Sequence, residues 1–244
     1  MSGPMASKTR LYVDHPLGPG QTVPVDPAQA HYLFGVMRLA VGAIVSLFNG
    51  QDGEWDAAVL QVGKRGGVLR AEAQTLALQM PPDLWLCFAP LKKARTDYVV
   101  EKAVELGVAR IVPVLTDFTN AERLRGDKLC AHVIEAAEQC GATFVPQVAE
   151  VVKLSRLLEQ WPVGRRIMFC DEGLRGGSSA LSGNLTGPWA VLIGPEGGFS
   201  AAERGRLQGL DCAHPVSLGP RILRADTAAV AALTLWQLAL GDWR

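Results

Sequence analysis

The chain has 244 residues, 48% of them hydrophobic, enough for one large or two small domains with a buried core. Its 24 basic and 24 acidic residues cancel, so no global positive field advertises a nucleic-acid partner, and any RNA contact must rest on local basic patches. No apolar run approaches the roughly 18 residues of a membrane span, so no membrane partner is expected.

The MSGPMASKTR start lacks the apolar core of a signal peptide. The five cysteines (Cys87, Cys130, Cys140, Cys170, Cys212) are widely spaced, with no C-x-x-C pair. They read as reduced, mostly buried thiols of a cytosolic protein, and no metal site is expected.

The first 80 residues are short apolar runs split by turn residues. Asn49-Gly50 and Asp52-Gly53 are hairpin signals, and residues 59–62 and 68–73 read as further strands. A small β-barrel of about 75 residues is the natural expectation. One helical interruption, PAQAHYLFGVMRL, spaces His31, Phe34 and Arg38 to share a face.

The texture changes to β-α-β after Met80-Pro81-Pro82. The pattern predicts strands at 84–89 and 110–115 around an amphipathic helix at 96–106, with Gly107 at its C′ position. A second helix at 127–140 is again closed by a glycine, Gly141, and short apolar strands follow at 166–171, 190–193 and 215–218. Ser200 and Glu203 make a capping-box pattern, and Asp226 is placed to cap a last apolar helix at 227–240. The Gly/Ser stretch 173–187 reads as the most mobile loop. Alternating strands and helices imply an α/β domain with a parallel sheet covered on both faces.

Ligands of such sheets sit beyond the carboxyl ends of the strands. Three strand ends meet that description here: FCDEG (169–173), IGPEGG (193–198) and SLGPRILR (217–224). Glycines let a ligand touch the backbone, and helix N-termini supply N–H donors. Neither the G-x-G-x-x-G fingerprint nor the P-loop pattern is present, which argues against a dinucleotide enzyme and a P-loop NTPase.

LIGPEGGFS…E together with SLGPRILRADTA resembles the signature of the SPOUT methyltransferases, most closely the bacterial family that methylates uridine N3 in 16S ribosomal RNA. DYVVEKAVELGVARIVPVLTDFT, IEAAEQCGATFVP and HYLFGVMRLAVGAIVSLFNGQDGEW are similar to further motifs of that family, so the likeness covers nearly the whole chain. It implies a PUA-like RNA-binding barrel over residues 1–80 and a SPOUT domain over 81–244. That domain would carry a deep trefoil knot, bind S-adenosylmethionine (SAM) in its loops, and pair as a homodimer with the active site at the interface. The implied substrate is 16S rRNA in the small ribosomal subunit. Three positions depart from the family pattern: Asp226 stands where Glu is usual, Ala142 where Arg is, and Glu101 where Gln is.

On that reading, cofactor contacts fall to Gly194, Pro195, Gly197 and Gly198 in one loop and Leu218, Gly219, Ile222 and Leu223 in the other, with Glu172 and Leu174 edging the pocket. Leu218, Ile222 and Leu223 form an apolar slot for adenine, or simply pack in the core. Losing the uridine N3 proton spreads negative charge over the flanking carbonyl oxygens, which a fixed cation would stabilise. Arg224 is the candidate cation, its alternative being a strand-end salt bridge. Glu196 either orients substrate and accepts the proton or only fixes its own loop. Candidate RNA contacts are Arg10, His31, Arg38, Lys92, Lys93 and Arg95, with the LKKAR cluster a local phosphate site. Two rivals remain, a SPOUT enzyme acting on another base or a ribose 2′-hydroxyl, and a non-catalytic RNA-binding assembly factor. ILRAD in place of an Asn-bearing SLNVS-like motif disfavours the ribose, and intact glycine loops argue against a pure scaffold.

Overall fold

The computed structural model describes residues 9–120, 124–174, 181 and 186–243. The chain divides into two compact units. The first takes the described residues up to Met80 together with Ala137–Val145, and the second takes the rest.

In the first unit, β1 (Arg10–Tyr12), β2 (Thr22–Val25), β3 (Ile44–Phe48), β4 (Glu54–Gly63) and β5 (Gly66–Leu76) form one sheet in the order β1-β3-β4-β5-β2. Every pairing is antiparallel except β1 with β3. One face carries the core, where Leu33, Val45, Leu47, Trp55, Val59 and Leu69 pack together. Burying each such side chain contributes about 1.5–3 kcal/mol. The β3–β4 turn is built by Asn49, whose Oδ1 accepts the N–H groups of Gln51 and Asp52. Asp52 in turn accepts from the Leu17 N–H at 2.9 Å and from the Asn49 amide at 2.6 Å. Those two donors, Leu17 first, hold its carboxyl below the usual range.

The helical interruption differs from the expected regular helix with His31, Phe34 and Arg38 on one face. A single turn, α1 (Pro27–Ala30), carries an Asp26/Gln29 capping box and runs into a π-helical turn at His31–Val36. Arg38 lies beyond it in the left-handed region, at φ 55°. The wider π turn and this reversal break the 3.6-residue period, so His31, Phe34 and Arg38 do not share one helical face. Phe34 packs against the core, while His31 and Arg38 are exposed.

The second unit is a parallel sheet of β6 (Leu84–Phe88), β7 (Arg110–Leu115), β8 (Gln147–Val148), β9 (Val152–Lys153), β10 (Arg166–Cys170), β11 (Trp189–Ile193) and β12 (Ala213–Val216). Its order is β12-β10-β11-β6-β7-β8, with β9 also on β7. The helices are α2 (Lys93–Glu105), α3 (Gly126–Cys140), α4 (Leu154–Glu159), α5 (Ala201–Gln208) and α6 (Ala225–Leu240). β11 reads WAVLI and is buried at all five positions, as a central parallel strand covered on both faces must be.

Three local signals are present as read: the reciprocal Ser200/Glu203 capping box opens α5, and Gly107 and Gly141 are left-handed after their helices. Two expectations shift. β12 ends two residues early, because its partner β10 stops at Cys170, opposite Val216, and Ser217 and Leu218 are released into the following loop. The N-cap of α6 is Arg224, not Asp226, and Asp226 lies in the first turn instead.

Gly53 gives a direct stability test. It is left-handed at φ 77°, and a Cβ there would lie 2.3 Å from the Leu76 carbonyl oxygen and 2.9 Å from Gln74 Nε2. Gly53→Ala should lower unfolding stability by about 2 kcal/mol or more in urea titration, combining backbone strain with a clash against main chain.

Candidate functional site

β10, β11 and β12 lie in parallel register, Phe169 opposite both Leu192 and Pro215, so their carboxyl ends open on the same edge. A cleft sits there, floored by Cys170, Asp171, Ile193 and Val216 and walled by the two glycine loops. From the first loop Gly194, Pro195, Glu196 and Gly198 line it, and from the second Leu218, Gly219, Ile222 and Leu223. Two glycines are obligatory by geometry. A Cβ on Gly194 would lie 2.9 Å from the Phe199 ring, and Gly198 sits at φ 70° while its N–H donates to the Pro195 carbonyl at 2.9 Å.

Two other expected cofactor contacts, Gly197 and Leu174, are not among the residues that line the cleft. Gly197 does not line the cleft; a Cβ there would come within 3.3 Å of Phe118 Cβ, so this glycine serves loop packing. Leu174 is exposed and outside the lining, and the Glu172 side chain lies outside the described residues, as does most of the stretch expected to be a mobile loop.

Two lining residues carry no signal in sequence that would single them out. Asp171, beside the expected Glu172, is buried, with Oδ1 accepting the Gly173 N–H at 2.9 Å and lying 3.4 Å from Arg204 Nε. It presents a carboxylate at the floor of the cleft. Arg221 is an exposed cation on its wall.

Desolvation pushes the Cys170 thiol up to about 12, so it stays protonated at neutral pH and is no nucleophile. Glu196 is ion-paired, Oε1 to Arg95 Nη1 at 2.9 Å. Arg224 is exposed at the head of α6, adjacent to the cleft lining, and no ion pair engages its guanidinium among the described residues.

The candidate RNA residues separate into four kinds. Arg10 is an internal cross-link of the first unit: it pairs with Glu54, donates to the Ala137 carbonyl and, at 2.6 Å, to that of Ala142, and stacks 3.9 Å from the Phe48 ring centre. His31 and Arg38 are exposed, and His31 lies over Gly35, where a Cβ would come within 3.1 Å of Nδ1. Lys92 and Lys93 line a groove in the second unit with Arg125 and Lys128. Arg125 faces Asp127, while the three lysines have no carboxylate partner among the described residues. Arg95 is held by carboxylates.

A parallel sheet with a glycine-walled cleft at its carboxyl edge defines a ligand-binding α/β domain. The family model of the RNA methyltransferase domain matches residues 79–237, and that of the RNA methyltransferase PUA domain matches residues 25–72. The chain therefore belongs to the RNA methyltransferase family. It is 28% identical over 232 residues to the ribosomal RNA small subunit methyltransferase E of Rickettsia conorii, covering 92% of this chain and 93% of that one. A crystal structure of the ribosomal RNA small subunit methyltransferase E from Neisseria gonorrhoeae bound to SAM is similar at TM-score 0.84 and 26% identity, over 97% of this chain and 99% of that one. A Legionella pneumophila protein in complex with bound SAM matches at TM-score 0.84 and 28% identity, over 96% and 99% of the two chains.

The cysteines are not mostly buried as expected: Cys87 alone is fully buried, Cys170 and Cys212 are half-buried, and Cys130 and Cys140 are exposed on α3. The thiols give a pH test. Burial raises Cys87 and Cys170 to about 12, so their reactive thiolates form only in strong base. With iodoacetamide between pH 7 and 9, mass spectrometry should find the exposed Cys130 and Cys140 labelled well before either.

Proposed function

We propose that the protein transfers a methyl group from SAM to N3 of a uridine in 16S rRNA of the small ribosomal subunit. The observation that carries this reading is the cleft itself. Its two walls are the GPEGG and LGPRILR segments, in a chain whose solved relatives of the same fold hold SAM. The rest of the proposal follows the sequence resemblance: a SPOUT domain over 81–244 with its loops threaded as a trefoil knot, a barrel over 1–80 that touches RNA, and a cytoplasmic homodimer whose active site spans the interface.

The cleft suits SAM chemically. Its glycines leave room for close backbone approach, and Leu218, Ile222 and Leu223 offer an apolar slot for adenine. Bound SAM supplies an electrophilic methyl carbon on a sulfonium. The chain's work is then to orient uridine N3 in line with that carbon, exclude water and manage one proton.

Arg224 suits the charge task because no carboxylate competes for it among the described residues: its guanidinium would face the carbonyl oxygens flanking N3 and stabilise the anion left by proton loss. The N3 proton leaves to Glu196 or to a water beside it. The ion pair of Glu196 with Arg95 favours an orienting role for this carboxylate.

RNA contacts away from the reacting base are assigned to His31 and Arg38 on the first unit and to the lysine groove on the second. The cations of that groove belong to a chain of zero net charge, so attraction to RNA is local.

The direct test is methyl transfer from labelled SAM to small subunits lacking the modification, with the product nucleoside identified by mass spectrometry. Wild type should give 3-methyluridine. Arg224→Ala should lower kcat by about 100-fold or more, the scale of losing a transition-state charge stabiliser, with SAM affinity nearly unchanged. A 2′-O-methyl product, or none, would overturn the assignment. The groove is tested by Lys92→Ala/Lys93→Ala. The slope of log affinity for subunit RNA against log salt should flatten by roughly 1.4–1.8, two phosphate contacts' worth, while SAM binding is unaffected.

A further inference from the structure

We infer that Arg95, placed by sequence in a cluster of RNA-binding cations, is instead a positioning residue that clamps the two cofactor loops to each other. The inference rests on the proposed reading of the cleft as a SAM site.

Arg95 stands in the first turn of α2 and reaches two carboxylates from distant segments. Its Nη1 is 2.9 Å from Glu196 Oε1 in the GPEGG loop, and its Nε is 3.6 Å from Asp226 Oδ2 in the first turn of α6, directly after the LGPRILR loop. One guanidinium therefore bridges both walls of the cleft, and it does so from outside, since neither Arg95 nor Asp226 lines it.

The base of the clamp is rigid. Thr96 beside it is buried, and its Oγ1 both accepts the Leu91 N–H and donates to the Leu91 carbonyl, each at 2.9 Å. α2 and α6 are also joined at their far ends, where Gln237 Nε2 donates to the Leu106 carbonyl at 2.7 Å. Arg95 and Asp226 thus belong to a fixed helix pair. Glu196 belongs to a short turn whose local support is the Gly198–Pro195 hydrogen bond and the packing of Phe199. The clamp transmits the rigidity of the helix pair to that turn.

Charge separates this role from RNA binding. One guanidinium between two carboxylates is a formally negative cluster, which repels a phosphate, whereas neighbouring Lys92 and Lys93 carry no such partners among the described residues. The basic run LKKAR is therefore two functions in sequence: two lysines that face an anion groove and one arginine that holds the cleft.

The experiment measures SAM binding by calorimetry, without RNA, for wild type, Arg95→Ala, Arg95→Lys, Asp226→Asn and the Arg95→Ala/Asp226→Asn pair, beside the KM for small subunits. Arg95→Ala should weaken SAM about fivefold, as the fraction of chain with ordered loops falls. Asp226→Asn should weaken it less, the pair should be no worse than Arg95→Ala alone, and Arg95→Lys should recover part of the loss. The KM for subunits should stay within about twofold of wild type for all four, because no phosphate contact is lost. Unchanged SAM affinity with a raised KM for subunits would overturn the inference and return Arg95 to the RNA interface. Additive losses in the double variant would overturn it as well. A wild-type chain that binds no SAM would instead remove the functional reading and the clamp together, a result recognisable before any variant is made.

Discussion

The site depends on the parallel register of β10, β11 and β12. Because the three strands run the same way and stop within a residue or two of one another, Asp171, Gly194 and Ser217 leave the sheet at one edge, and their loops have no choice but to share a cleft. The sheet is held from below by burial. β11 is apolar and buried at every position and pairs with β6 on one side and β10 on the other, Leu192 opposite both Cys87 and Phe169. The energy that positions the two glycine loops lies in good part in this sheet.

Arginine and lysine divide the electrostatic labour. Arg10, Arg95, Arg165 and Arg204 are each turned inward: Arg10 onto Glu54 and two carbonyls, Arg95 onto Glu196 and Asp226, Arg165 onto Asp83 and the Trp189 carbonyl, Arg204 onto Asp171. A planar fork with several donors suits such cross-links, because one side chain can satisfy two or three acceptors in fixed directions. Lys92, Lys93 and Lys128 carry flexible point charges and remain unpaired among the described residues at a groove. A chain with 24 charges of each sign can still present a local basic surface where, as at this groove, its lysines make no ion pair among the described residues.

What was legible in sequence was local. The Ser200/Glu203 capping box, the left-handed Gly107 and the two glycine loops each follow from a few adjacent residues whose backbone demands are set by their own chemistry. What was not legible depends on distant partners. Arg10 meets Glu54 across 44 residues and Arg95 meets Glu196 across 101, and nothing near either arginine announces a carboxylate. That Asp171 lines the cleft follows from the strand's last pairing, its N–H on the Val216 carbonyl, and not from the string FCDEG. The π-helical turn at His31–Val36 escaped because a single added residue per turn is invisible to a 3.6-residue template. The two-residue strands β8 and β9 are too short for any periodicity to register.

The position of Glu196 narrows the chemistry. A carboxylate that accepts a substrate proton in the transition state works best when its lone pairs are free for that proton, whereas one held at 2.9 Å by a guanidinium has one oxygen already committed to a cation. Its second oxygen makes no ion pair among the described residues and, on the proposed reading, could accept a hydrogen bond from the substrate base or from a water without releasing Arg95. That geometry suits a group that fixes the base in the plane needed for in-line attack, with the proton leaving through solvent. On the proposed reading it leaves Arg224, which makes no ion pair among the described residues, as the group that would lower the cost of the N3 anion. The proposed division matches a difference in surroundings between Arg95 and Arg224. Arg95 is paired with two acids, as a residue that holds two segments together would be, and Arg224 makes no ion pair among the described residues, as a cation meant for a charge present only during the reaction would require.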